Sequence, residues 1–98
     1  MRRMSARRRA EIPERTAVVL AALERDRYRC QAPPLVPEIR CAGPLDPHEI
    51  IPRSAWHAGY LRLDNVMILC RAHHDWVGDH PDLAHRAGLH GFSWERTR

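Results

Sequence analysis

Apolar positions gather in short runs along this chain, and their spacing changes from run to run. The first run, "AVVLAAL" at 17–23, lies between the polar stretches "PERT" and "ERDR". Val19, Ala22 and Leu23 recur at helical spacing and Leu20 widens the stripe, while Arg15 and Arg25 fall on the wet side. Pro13 suits a first helical position, so the pattern predicts a helix from Pro13 to about Arg27. Two later runs read as strands: one around His48–Ile51, ended by Pro52, and "NVMILC" at 65–70, rich in large and β-branched residues. "RAHHDWVGD" supplies two helical turns before Pro81, and "PDLAHRAGL" a further short helix.

Between these runs the chain is punctuated. "CQAPPLVPEIRC" at 30–41 has three prolines in five positions, which forbid a helix and predict a stiff, extended loop. Gly43-Pro44 predicts a turn, "RSAWHAGYLRLD" a loop, and "HGFSWERTR" a tail that packs Phe92 and Trp94 back on the body. The resulting order is helix, loop, strand, loop, strand, helix, an α+β arrangement with cysteines at the outer edges of a hairpin.

Length changes the picture next. Ninety-eight residues make one domain at most. Residues 1–12 carry five arginines and little that is apolar, so they read as a disordered basic arm. The domain is then 13–94, with 95–98 a tail. A body of about 70 to 85 residues is marginal on a single core and calls for a staple. Cys30, Cys41 and Cys70 are odd in number, and no secretory signal precedes them. No apolar run is long enough to cross a bilayer. Reduced thiols in a cytoplasmic protein are the expectation, with no membrane partner and no small-molecule cofactor.

Charge is uneven. All sixteen basic residues are arginine, and residues 1–29 hold nine of them against four acids, while residues 30–98 hold seven against eight. A basic arm on a near-neutral body suits the phosphates of nucleic acid, and a genome that favours arginine codons would add to the count. Arg2, Arg3, Arg7, Arg8 and Arg9 are the candidate contacts in the arm, and Arg53 is one beside the first strand.

Residues 70–76, "CRAHHDW", concentrate the chemistry. Cys70-x2-His73 has knuckle spacing, and Cys30 with Cys41 supplies the other half of a closed Cys3His zinc site, its ten-residue interval being an insertion. Binding of that zinc would contribute directly to folding. His74 points about 100° away from His73 around a helix. With His48 from the first strand it could hold a second, divalent ion. Glu49 points to the other side of the pleat, and Asn65 could hydrogen-bond across the loop to set the geometry.

The fragments "HEIIPRS", "LDNVMILC" and "CRAHHDW", in this order within residues 27 to about 90, resemble the HNH endonucleases (His-Me fingers), above all small bacteriophage members. The resemblance implies a zinc-stapled ββα-metal core at about 41–80 behind an N-terminal helix. It implies a hydrolase cleaving DNA phosphodiester bonds with Mg2+, Mn2+, Ni2+ or Zn2+. His48 and His74 fall on the metal ligands, Asn65 on the central Asn, and Cys30, Cys41, Cys70 and His73 on the knuckles. A phage-encoded relative would work in the host cytoplasm, in DNA processing or alongside terminase and packaging proteins.

Three positions depart from that pattern. Glu49 stands where the family's histidine base usually lies, Gly78 where some relatives carry a further histidine, and "AWHAG" where Gly-Gly often follows. The base is then Glu49, or it is His48 with Asp46 helping to hold the metal, or catalysis is weak. The alternative function is a zinc-stapled nucleic-acid-binding module with little or no cleavage. His57, His85 and His90 read as surface residues, His80 as a helix cap, and Trp56, Tyr60 and Trp76 as core.

Overall fold

The computed structural model describes residues 5–96. Helix α1 (Ala6–Arg25) precedes strand β1 (Leu45–Glu49) and strand β2 (Val66–Cys70). Helices α2 (Arg71–Asp79) and α3 (Pro81–Arg86) follow, and 3-10 turns lie at His57–Leu61, Leu63–Asn65 and Ser93–Glu95. The protein is a small α+β fold around a two-stranded antiparallel sheet. None of the described helices is long and apolar enough to cross a membrane.

The strands pair from Leu45↔Cys70 to Glu49↔Val66, and the period of two in β2 divides the core. Val66 and Ile68 face α1 and pack on Ala22, with Val18 and Leu23 beside them. Leu69 joins Ala32, Val36, Val77, Ala84 and Leu89 in the second cluster, where Met67 and Trp76 also pack. A hairpin this short cannot bury enough by itself, and two covered faces are what stabilise it. The outer edge of β2 is covered too. The Asp26 carboxylate accepts from the Ile68 N–H (2.9 Å) and the Gln31 N–H donates to the Ile68 carbonyl (2.9 Å), so residues 26–31 shield β2.

Several boundaries differ from the sequence pattern. The first helix begins at Ala6, not Pro13, so the predicted disordered arm is helical over residues 6–12; residues 1–4, with Arg2 and Arg3, lie outside the described residues. Ser5 makes the difference, because its hydroxyl accepts from the Arg8 N–H (3.1 Å) and caps the arginine-rich turn. Pro13 therefore lies inside the helix. At the other end α1 stops at Arg25, and Arg27 and Tyr28 take left-handed conformations (φ 57° and 56°) that turn the chain toward Cys30.

The 30–41 segment is a series of tight turns, not an extended loop: the Leu35 and Val36 N–H groups both donate to the Ala32 carbonyl (2.8 Å each), and Ala32 and Val36 are core. The φ that proline fixes suits such turns. Strand β1 lies at 45–49, earlier than expected, because the Ile51 N–H is claimed by the Asn65 side chain. Trp94 stacks on Phe92 (centroids 4.8 Å apart) but remains 78% exposed, so the tail does not bury it.

Candidate metal centre and adjoining cleft

Strand β2 runs straight into α2, and the junction sets the first site. Cys70 is the N-cap of α2; the Arg71 and Ala72 N–H groups donate to the Pro44 and Ala42 carbonyls (2.8 and 3.0 Å), which draws the segment after Cys41 against the helix start. Gly43 allows this approach with φ +81°; a Cβ there would meet the Arg71 Cβ at 2.8 Å. His73 lies one turn into α2 and is completely buried.

Its Nδ1 is 3.0 Å from the Cys70 Sγ, 3.5 Å from the Cys30 Sγ and 3.6 Å from the Cys41 Sγ. All four donor atoms lie within 4.8 Å of one another. A tetrahedral zinc with Zn–S near ~2.3 Å and Zn–N near ~2.0 Å places N and S about 3.5 Å apart, so the group has the dimensions and the donor set for a structural zinc.

The thiols are electrostatically divided. Burial raises the Cys70 thiol, but hydrogen bonds from the His73 backbone and ring and from the Ala42 backbone outweigh it and bring it down to about 6. Cys41 is exposed as a residue while its sulfur turns inward; lost hydration, with the Cys70 and Cys30 sulfurs alongside, pushes its thiol up to about 12. A cation at the centre would favour all three thiolates at once. His73 Nε2 is buried with no hydrogen-bond partner among the described residues, a cost of about 1–3 kcal/mol that metal binding would have to offset.

The second site opens on the neighbouring face. Asp46 and His48, two apart on β1, project to the α2 side, where the His48 and His74 rings meet edge to face with centroids 5.3 Å apart. They line an open cleft of about 250 Å3 with Glu49, Arg53, Gly78 and His90. His48 is buried and its Nε2 lies 2.6 Å from the Leu89 carbonyl. A carbonyl only accepts, so Nε2 carries the hydrogen and Nδ1 of the neutral ring keeps its lone pair. Burial lowers the His48 pKa, the Leu89 hydrogen bond partly restores it and nearby His74 lowers it again, which favours the neutral ring.

No family model, curated protein or solved structure matches this chain. The function therefore rests on what these groups can do.

Asp46 lies 3.9 Å from His74 Nδ1, but Arg71 already holds its carboxylate through Nε (2.5 Å) and Nη2 (3.1 Å), and that guanidinium keeps the acid below the usual range. Glu49 is also engaged: Oε1 accepts from Arg53 Nη2 (2.9 Å) and Nε (3.2 Å), and Oε2 lies 3.6 Å from Arg15 Nη2. Asn65 does not enter the cleft. Its amide donates to the Ile51 and Gly59 carbonyls (3.0 and 3.1 Å) and accepts from the Ile51 N–H (2.9 Å), pinning the loop behind β1. Gly59 makes room, since a Cβ there would meet the Asn65 Nδ2 at 2.6 Å.

His90, expected at the surface, lines the cleft because buried Leu89 and Gly91 anchor its segment beside β1, where the Gly91 N–H donates to the Ile50 carbonyl (2.8 Å). No local spacing announces that approach. His80 sits between α2 and α3 without a side-chain cap and rests against Trp76. Arg7, Arg8 and Arg9 are exposed on the first turns of α1. Arg53 borders the cleft.

Proposed function

We propose that this protein is a metal-dependent DNA endonuclease of the HNH kind, with β1, β2 and α2 as its ββα-metal core. The observation that carries the reading is His48: a neutral, buried imidazole held at Nε2 by a backbone carbonyl beside His74 in an open cleft. That arrangement suits a general base. His48 Nδ1 takes the proton from a water as its oxygen attacks phosphorus, and the leaving oxygen is protonated from solvent. The Leu89 carbonyl keeps the ring oriented and favours the imidazolium that forms. His74, with Asp46 behind it, would hold a divalent ion, which supplies Lewis-acid stabilisation of charge on the phosphate and the leaving oxygen. Glu49, tied to two arginines, is the weaker candidate for base. Exposed arginines on α1 give sequence-independent affinity for the backbone.

One observation favours the other reading, a zinc-stapled binding module. Among the described residues only the Cys3His group gathers three or more metal-binding donors, and Gly78 offers the cleft no ligand. Incubation with supercoiled plasmid and Mg2+, Mn2+ or Ni2+ separates the two. Wild type should nick the plasmid, and His74→Ala should lose about 100-fold or more in rate while retaining its zinc. Equal silence from both proteins, with DNA binding intact, would make the module the better account.

A further inference from the structure

Two hollows share one arginine. Beside the histidine cleft lies a groove of about 220 Å3, lined by three arginines (Arg8, Arg15 and Arg53), one acid (Glu11), Thr16 and Tyr60 among others. Arg53 borders both hollows, and Glu49, which lines the cleft and pairs with both Arg53 and Arg15, has only 15% of its side chain exposed. One Glu49 oxygen is bound by Arg53 and the other faces Arg15. Both guanidiniums are held in place. Arg15 Nη1 donates to the Tyr60 carbonyl (2.5 Å), and the Arg53 guanidinium lies 4.3 Å from the Tyr60 ring centroid. The Tyr60 hydroxyl in turn donates to Glu11 on α1 (2.5 Å). Two positioned guanidiniums around one acceptor-only group form a receptor for a monoanion with paired oxygens, which describes a carboxylate and a phosphodiester alike.

We infer that Glu49 occupies the seat of a DNA backbone phosphate between Arg15 and Arg53, and that a phosphate next to the one being cleaved displaces it. The inference rests on the proposed DNA substrate and extends it: the strand runs from the histidine cleft, over Arg53 and Arg15, along the groove toward Arg8. Glu49 is then a stand-in for substrate, not a base. It keeps two like-charged guanidiniums stable at close quarters in the free protein. Its displacement makes Arg53 weaker toward DNA than an unpaired arginine would be.

Anisotropy of a short labelled duplex, titrated without added divalent ion so that no cleavage occurs, tests the seat separately from the chemistry. Glu49→Gln should tighten binding about fivefold, and Arg15→Gln or Arg53→Gln should weaken it about three- to tenfold, each reducing the log–log salt slope by about 0.9. Arg86→Gln, far from the groove, is the control. The decisive measurement is the double variant: the gain from Glu49→Gln should shrink when Arg53 is also Gln, because only Arg15 is then left to unmask, whereas a diffuse charge effect would persist unchanged. An additive pair, or a folded Glu49→Gln protein that binds no better than wild type, would overturn the seat. Should Glu49→Gln fail to fold, the Arg15 and Arg53 variants still decide, and wild-type affinity in both rejects it. Cleavage that survives while the seat fails leaves the nuclease reading standing, and the converse result removes only the nuclease.

Discussion

His73 and His74 are adjacent on one helix and end in opposite environments. His73 is sealed beneath three sulfurs with no partner for its second nitrogen among the described residues, whereas 41% of the His74 side chain is open to solvent above a cleft. The step of about 100° per residue accounts for the separation. What it teaches is that one turn of α2 serves a corner that is closed and complete and a cleft that is open and short of ligands. The closed corner has four donors of the types zinc prefers, preset by β2, the Cys30–Cys41 turns and the start of α2. The cleft has His48, His74 and His90, a Glu49 carboxylate tied to Arg53, and beside His74 the Asp46 carboxylate held by Arg71. Closure suits a structural role, and openness suits a site that must admit substrate.

The largest expected effect tests the closed side of that contrast. Chelation, or Cys70→Ser, should abolish cooperative unfolding, since structural zinc contributes on the order of 10 kcal/mol and Leu69, Val77 and Ala32 pack around the corner. Circular dichroism melts with zinc quantification give the answer; a protein that loses its zinc and keeps its melt would break the comparison. Next is Asn65→Ala, which deletes three buried hydrogen bonds behind the cleft and should cost about 2–3 kcal/mol in urea unfolding. On the proposed function, the Cys3His corner should keep its metal while cleavage falls, because the loop supports β1 and not the sulfurs.

The smallest effect is in pH. His48 has a folded-state pKa below its ordinary 6.5, so the unfolded chain takes up the proton first as pH drops. Its contribution to stability is complete above about 6.5 and declines from there toward the lower folded value. The difference between wild type and His48→Asn in urea midpoints across this window isolates it from the zinc ligands. On the proposed chemistry, cleavage should follow the same direction, level at neutral pH and falling in acid as His48 is protonated.

Much of the scaffold was legible because its signals are local. "NVMILC" carries the β-branched density of a strand, "CRAHH" the knuckle spacing, and helical periodicity separates two adjacent histidines. The start of α1 was not legible, since residues 6–12 have no apolar stripe and their helix depends on the Ser5 cap. Prolines 33, 34 and 37 suggested extension, yet burial of Ala32 and Val36 folds the segment into turns. The cleft was legible in its histidines and not in its electrostatics. That Glu49 would meet Arg15, or Asp46 meet Arg71, depends on contacts spanning 34 and 25 positions, which no spacing encodes. His90 was missed for the same reason.

The hydrogen bond from His48 to the Leu89 carbonyl also bears on timing. During synthesis all four donors of the sulfur corner have emerged once residue 73 has. His48 has no fixed tautomer until Leu89 arrives, sixteen residues later. On the proposed chemistry, a chain without Leu89 lacks the contact that orients its base, so the backbone at Leu89 acts as the safety catch on a DNA-damaging activity.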